Sequence, residues 1–163
     1  MKNINLLLFV LSAFFTFSQA ELLTKMPNSP EEFKASEKKV LATIDWLEST
    51  PINEQRDKRD FQNAALLTWI TNSPTVTVEV NADILTFIKK NPDLLVIFMG
   101  GWTRYSLQNN YSKDVVEGTI AGLKSAIKVY KTGLLKKDKA MQAYVDTDDK
   151  GELESYVKSK LKK

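Results

Sequence analysis

Apolar residues recur every three or four positions along most of this 163-residue sequence, and this spacing limits its fold more than any other feature. In residues 30–50, Phe33, Val40, Ile44 and Leu47 fall on one side of a helix, with charged residues between them. The same spacing appears in residues 53–72, 81–90, 112–132 and 136–145, and in two segments that begin at 92 and 149. We therefore predict an all-α fold, a single compact helical domain of about six or seven helices.

Capping residues predict where several of these helices begin. Ser29 precedes Pro30, and Glu32 follows at the third helical position, which is typical of a helix start because the side chains accept hydrogen bonds from free amides. By the same reasoning we expect Asn81, Ser112 and Asp149 to cap three further helices. Residues 21–28 carry no such signal and are predicted to form a loose arm.

Residues 75–80 are the exception to the helical spacing. Their sequence, Thr-Val-Thr-Val-Glu-Val, alternates with a period of two and is rich in β-branched residues, which indicates an extended backbone. A lone strand leaves its backbone donors and acceptors unpaired, so this segment is a structured loop, pairs with a short segment that the sequence does not identify, or pairs with another chain. We predict the loop; pairing with another chain would instead predict a dimer.

The centre of the core is predicted at residues 94–99, which are apolar without interruption. A helix that is apolar on all sides is buried, and this segment is too short to cross a membrane. Gly100 and Gly101 follow directly, while Gly118, Gly122 and Ala126 lie four apart in a later helix. We expect these small residues to let the two helices approach each other closely.

The first twenty residues have the features of a cleavable signal peptide. Lys2 precedes an uncharged, mostly apolar run over residues 4–17, and Ser18 and Ala20 are the small residues that a signal peptidase recognises. We predict cleavage between Ala20 and Glu21, which leaves residues 21–163 as the single helical domain.

This assignment also fixes the expected location of the protein. The apolar run of about 14 residues is shorter than the roughly 20 that a membrane-spanning helix needs, so no span is expected after cleavage. No cysteine follows the run, and this excludes a bacterial lipid anchor. We expect the protein to be exported to the periplasm or to the extracellular medium.

The sequence contains neither histidine nor cysteine, and their absence excludes several classes of chemistry. Catalytic triads and dyads that use these residues, thiol redox reactions, and zinc or copper sites built on imidazole or thiolate are all ruled out. Removal of residues 1–20 takes away one lysine and no acid, so the formal charge becomes +2, far from the basic balance typical of nucleic-acid-binding proteins. We expect no cofactor and no nucleic-acid partner.

A cluster of side chains suited to ligand binding follows the apolar run. Aromatic rings, a guanidinium group and amides lie close together in the sequence. Such a set suits a sugar or a peptide, because rings stack on apolar faces while polar groups bind the edges. The candidate ligand-binding residues are Trp102, Arg104, Tyr105, Asn109 and Tyr111. Buried aromatics that anchor a helix end would have the same composition, so a structural role stays open.

Residues 146–153 match the first half of a calcium-binding loop, with acids at the first and third positions and glycine at the sixth. The fifth position is Lys150 and the twelfth is Val157, so a cation stands where a ligand belongs and the bidentate glutamate is missing. We therefore predict a polar turn between helices here, and no metal site.

The sequence favours an exported, non-catalytic interaction or accessory protein that binds another protein or a small ligand. It offers a well-formed core and no group of residues that demands catalysis. The alternative is a small hydrolase that uses a pair of carboxylates, for example on glycans, with Glu117, Asp114 or Glu79 as members. The spacing of these acids does not by itself bring two of them together.

Overall fold

Six α-helices and one short 3₁₀ helix make up the computed structural model of the protein, which describes residues 21–162. They are α1 (Pro30–Ser49), α2 (Arg56–Asn72), the 3₁₀ helix (Thr86–Lys89), α3 (Leu94–Gln108), α4 (Val115–Tyr130), α5 (Lys139–Asp149) and α6 (Leu153–Leu161). No β-strand occurs among the described residues. The predicted all-α, single compact helical domain is therefore confirmed. The predicted signal peptide, including Ala20, lies outside the described residues.

The helices α3 and α4 form the centre of the fold, with α1 and α2 packed on α3, and with α5 and α6 packed on α4. The predicted core run lies in α3, where Leu94, Ile97, Phe98 and Met99 are buried. No helix within residues 21–162 combines the length and the apolar character needed to span a bilayer. The sequence pattern thus placed the core correctly.

Close contact between α3 and α4 depends on their glycines. A Cβ atom at Gly101 would lie 2.3 Å from Oγ of Ser125 and 2.7 Å from the carbonyl oxygen of Ala121. A Cβ atom at Gly118 would lie 2.3 Å from Cε2 of Trp102. Real Cβ atoms do not approach this closely, so any larger residue would push the helices apart. The predicted close approach is confirmed.

The start of α1 follows its capping signal. Ser29 Oγ accepts a hydrogen bond from the Glu32 amide (3.3 Å), and Pro30 occupies the first turn. The preceding arm is less loose than predicted, because Leu23 is buried and its amide donates to Thr43 Oγ1 of α1 (3.0 Å). Burial of one leucine and this hydrogen bond fix the arm against α1.

The cap of α4 differs from the prediction. Asp114, not Ser112, is the capping residue, and its Oδ1 accepts hydrogen bonds from the amides of Val116 (2.9 Å) and Glu117 (3.0 Å). Ser112 Oγ instead accepts from the Asp114 amide (3.2 Å) and shapes the preceding turn. A carboxylate satisfies two amides and interacts favourably with the positive helix end, so it is the stronger cap.

The predicted boundary between the last two helices was wrong. Asp149 is the final residue of α5 and does not cap α6. The cap of α5 is Asp138, whose Oδ1 accepts from the Ala140 and Met141 amides (2.7 and 3.2 Å). Gly151, with φ +74°, lies in the turn between α5 and α6, where the chain changes direction. Glycine adopts these left-handed backbone angles without steric cost.

Two predicted helices are shorter than expected. The helix α2 begins at Arg56, because Gln55 has φ +46° and a left-handed residue cannot continue a helix. Residues 81–90 form turns and the 3₁₀ helix only. Asn81 Oδ1 does accept from the Asp83 amide (2.8 Å), but this bond closes a turn and does not start a continuous α-helix.

Residues 75–80 form the predicted loop. Val76 is buried at 4% exposure and anchors the loop, while Val80 is 58% exposed. The Val76 amide donates to Ser73 Oγ (3.1 Å), so the turn after α2 supports the start of the loop. Pairing of this loop with another chain stays an untested alternative.

Candidate functional site

Trp102, the first residue of the predicted ligand-binding cluster, lies in the core. Its side chain is 1% exposed and packs edge-on against Phe98, with ring centroids 6.1 Å apart. Gly118 on α4 provides the space for the indole ring, and the buried Nε1 atom has no hydrogen-bond partner in the described part of the protein. The ring therefore presents no face to a ligand, and we remove Trp102 from the candidate site.

Tyr111 lines a different hollow from Arg104, Tyr105 and Asn109. Its hydroxyl donates to Glu37 Oε1 on α1 (3.0 Å), and its ring lines a small hollow with Phe33 and Pro74. The hydrogen bond to the Glu37 carboxylate raises the pKa of the Tyr111 hydroxyl above its ordinary value. The backbone of Tyr111 is left-handed (φ +58°), and its amide donates to Ser106 O (2.8 Å). This turn follows the end of α3 and directs the Tyr111 ring towards α1.

The other three predicted residues meet in one cleft. Arg104 and Tyr105 in the second half of α3, and Asn109 directly after its end, line a cleft of about 340 Å³ between α3 and α4. The floor is formed by small residues, Gly101, Ala121 and Ser125, where the two helices are in close contact. The remaining lining residues are Glu48, Gln108, Lys124 and Lys128. We refer to this site as the α3–α4 cleft.

An ion-pair network closes one side of the α3–α4 cleft. Glu48 of α1 has a side chain only 2% exposed, and its two oxygens bind Arg104 Nη1 (2.7 Å) and Lys128 Nζ (3.0 Å). The other terminal nitrogen of Arg104 binds Asp45 Oδ1 (2.7 Å). The network ties α1, α3 and α4 together and fixes the guanidinium plane, since a buried carboxylate needs paired cations.

Burial alone would raise the pKa of the Glu48 carboxyl group. Hydrogen bonds from Arg104, Lys128 and Ser125 outweigh burial, so the pKa of Glu48 lies below its ordinary value. Glu48 is consequently ionised at neutral pH and holds its partners in place. Sequence analysis did not identify Glu48, although its position four residues after Ile44 places it on the apolar stripe of α1, where a charged residue is exceptional.

The cleft also offers polar groups that the protein does not use internally. Lys124 is exposed and forms no ion pair within residues 21–162. Asn109 Nδ2 donates to the Tyr105 carbonyl (2.8 Å), which leaves Oδ1 to accept, and Gln108 is exposed beside it. An ammonium group and two amides next to a half-buried aromatic ring can bind a carboxylate and neighbouring hydroxyl groups.

The acids of the alternative hydrolase hypothesis are not assembled at this cleft. Asp114 caps α4 through its carboxylate, and Glu79 is exposed in the loop after α2. Glu117 lies in the first turn of α4. None of the three lines the α3–α4 cleft. A role for them as a catalytic pair stays an untested hypothesis.

Two acids of the loop that resembles a calcium site, Asp146 and Asp149, have partners within the protein. Asp149 binds Lys131 Nζ (2.6 Å), and Asp146 accepts from Gln142 Nε2 (2.8 Å). Within residues 21–162, no three acidic side chains converge in a way that could hold a metal ion. The segment forms the end of α5 and the turn into α6.

Comparison with known proteins adds no assignment to this geometry. No protein-family model, no curated protein and no solved structure matches the chain.

Proposed function

We propose that the protein is exported and acts without catalysis, by binding an acidic sugar in the α3–α4 cleft. The observation that carries this proposal is that Lys124 lines the same cleft as the amides of Gln108 and Asn109. Lys124 has no counter-ion in the described structure. A carboxylate would bind the lysine, and sugar hydroxyl groups would bind the amides. Tyr105 offers a half-buried ring against which an apolar sugar face can stack.

Arg104 plays a supporting role in this proposal. Its two terminal nitrogens already bind Asp45 and Glu48, so a ligand would have to compete with both carboxylates for them. The arginine instead keeps the wall of the cleft rigid, which lowers the cost of ordering the site when a ligand binds. Lys124 is thus the charge on which ligand affinity should depend most.

The binding experiment compares matched ligands with matched variants. We would titrate the purified protein with a galacturonic acid trisaccharide, with its neutral galactose counterpart, and with a glutamate-rich peptide, following backbone amide signals by NMR. We expect the acidic trisaccharide to bind at least about tenfold more tightly than the neutral one, since one charge-assisted hydrogen bond contributes about 1.5–3 kcal/mol. Signals of Gln108 and Lys124 should shift.

Variants then locate the interaction. Lys124→Gln should weaken binding of the acidic trisaccharide about tenfold, because it removes the free cation. Lys38→Gln is the matched control, since Lys38 is also exposed and lies outside the cleft. If Lys124→Gln and the unmodified protein bind the acidic trisaccharide with equal affinity, the proposed binding site is refuted. Selective binding of the peptide would replace the sugar by an acidic peptide as the ligand.

Export is tested separately. The signal-peptide features of residues 1–20 support cleavage between Ala20 and Glu21. Mass spectrometry of the protein recovered outside the cytoplasm should give an amino-terminal residue of Glu21. Recovery of the intact chain from the cytoplasm would contradict the export proposal and leave the cleft proposal untouched.

A further inference from the structure

A larger cavity lies at the opposite end of α1 from its capped start. It has a volume of about 400 Å³ and is enclosed by the start of α2, by residues 90–93 and by the loop between α4 and α5. The loop is held in place by Asn91, which is 2% exposed and whose side-chain amide pairs with the backbone of Lys136 (3.0 Å in both directions). We call this the α2 cavity.

The wall of the α2 cavity contains a buried arginine without a counter-ion. Arg59 is 3% exposed, and its guanidinium donates to the carbonyl oxygens of Leu47 (3.1 Å) and Thr50 at the end of α1. No carboxylate oxygen in the described structure lies within ion-pair distance of it, and its buried Nε atom has no hydrogen-bond partner. A buried charge in this condition gains from any anion that comes near.

The charges around Arg59 do not cancel. Three further cations, Arg56, Lys90 and Lys136, line the cavity, against two acids, Asp60 and Asp93. None of these five side chains forms an ion pair within residues 21–162. Burial lowers the pKa of Arg59, and the charges of Asp93 and Asp60 oppose this effect without compensating it. The cavity therefore carries a net positive charge.

Apolar groups border the same cavity. Ile52, Pro92 and Leu135 line it, and Leu134 lies at its edge with 47% of its surface exposed. An exposed leucine beside a charged cavity suits a ligand that has both an apolar part and an anionic head. A purely ionic ligand would leave this apolar wall in contact with water.

We propose that the α2 cavity binds a small amphipathic oxyanion, with its carboxylate or phosphate head near Arg59, Lys90 and Lys136. The apolar part of the ligand would lie against Ile52 and Leu134. This site is separate from the α3–α4 cleft and does not depend on the function proposed for it, because the two share no lining residue.

The test uses three probes of equal chain length: hexanoate, hexyl phosphate and neutral hexanol. Each is titrated into the purified protein while NMR follows the backbone amides of residues 90–93 and 134–136 and the Arg59 Nε–H signal. Both anions should bind with saturation and at least tenfold more tightly than hexanol. The tighter of the two identifies the head group as a carboxylate or a phosphate ester.

Variants at the mouth of the cavity avoid an ambiguity at Arg59. Replacement of Arg59 would remove the hydrogen bonds that hold the end of α1, so loss of binding could reflect loss of the fold. The double variant Lys90→Gln/Lys136→Gln leaves Arg59 in place and should weaken anion binding at least tenfold. Lys38→Gln, which is exposed and lies outside both sites, is the control and should bind as the unmodified protein does.

Three results would overturn the proposal. The first is saturation of the site by hexanol as tightly as by the anions, which would make it a plain apolar cavity. The second is equal binding of the anions by the double variant and the unmodified protein. The third is a shift of signals around Lys124 alone, which would assign the anions to the cleft. A failure of the cleft proposal has a different signature, since it changes the response of Lys124→Gln to the acidic trisaccharide alone.

Discussion

Replacement of Gly122 by alanine tests whether the contact between α3 and α4 holds the fold together. The added Cβ atom would lie 2.7 Å from Cδ2 and Cε2 of Phe98 and 2.8 Å from the Phe98 carbonyl oxygen. Rotation of the Phe98 ring could relieve the first contact. The second is with the backbone of α3, so it can be relieved only if one helix moves away from the other.

The size of the effect follows from two opposing terms. Alanine in place of glycine inside a helix gains about 1 kcal/mol in helix propensity. Overpacking a core costs about 1–3 kcal/mol, and a contact that involves the backbone belongs at the upper end. We therefore expect Gly122→Ala to lower the free energy of unfolding by about 2 kcal/mol.

Gly100→Ala provides the matched comparison in the neighbouring helix. Its Cβ atom would lie 3.3 Å from Cγ1 of Ile44 and 3.5 Å from Cδ2 of Leu66, both flexible side-chain atoms. The same gain in helix propensity applies, and these side chains can adjust. The free energy of unfolding of the Gly100→Ala variant should thus lie within about 1 kcal/mol of that of the unmodified protein.

Urea unfolding followed by far-ultraviolet circular dichroism measures both variants. In thermal unfolding, a loss of about 2 kcal/mol in the free energy of unfolding corresponds to a fall of about 6 °C in the midpoint for a domain of this length. If Gly122→Ala loses less than about 0.5 kcal/mol, the value typical of an exposed position, the close contact is not a determinant of stability. Equal losses for Gly100→Ala and Gly122→Ala would also refute the reasoning, because the contacts differ.

Three further predictions concern the core, the ion-pair network and a helix cap. Phe98→Ala should lower the free energy of unfolding by about 3–5 kcal/mol in the same urea assay, and a loss below about 1 kcal/mol would contradict its place in the core. Because the pKa of Glu48 is lowered in the fold, its ion pairs stabilise the protein above the unfolded-state pKa, and this contribution is lost as the pH falls through the folded-state pKa. The thermal midpoint should therefore fall on acidification, and Glu48→Gln should reduce this fall; an unchanged pH profile would count against the network. Asp138→Ala should cost about 1–2 kcal/mol by leaving two amides of α5 without a partner, whereas Asp138→Asn should recover most of the loss.

Helix positions were predictable where local signals agreed with one another. The start of α1 has a serine cap, a proline in the first turn and an apolar stripe that begins directly afterwards, and the structure follows all three. At α4 two polar residues, Ser112 and Asp114, were available for the cap, and sequence alone did not decide between them. Asp114 prevailed over Ser112 because its carboxylate reaches two amides at once.

The candidate site was harder to predict, since burial depends on residues that are distant in the sequence. Trp102 is buried only because Gly118, on another helix, leaves space for its ring. Glu48 stands 56 positions before its partner Arg104, so no local pattern connects them. The residues whose grouping was predicted correctly, Arg104, Tyr105 and Asn109, lie within six positions of one another at the end of α3 and its cap, so local spacing alone brings them together.

The two arginines near the end of α1 explain why the two proposed sites need different ligands. Arg104 binds two carboxylates of α1, so an anion in the α3–α4 cleft would gain little from it and must depend on Lys124. Arg59 donates to the backbone carbonyls of Leu47 and Thr50 and lies over the Trp46 ring, 5.6 Å from its centroid, but it pairs with no carboxylate in the described structure, so its charge is available to an anion in the α2 cavity. Ligand binding there should neutralise a charge that the fold leaves buried. Because the ligand would bind the folded state and not the unfolded chain, the thermal midpoint should rise with the logarithm of ligand concentration once the site is saturated.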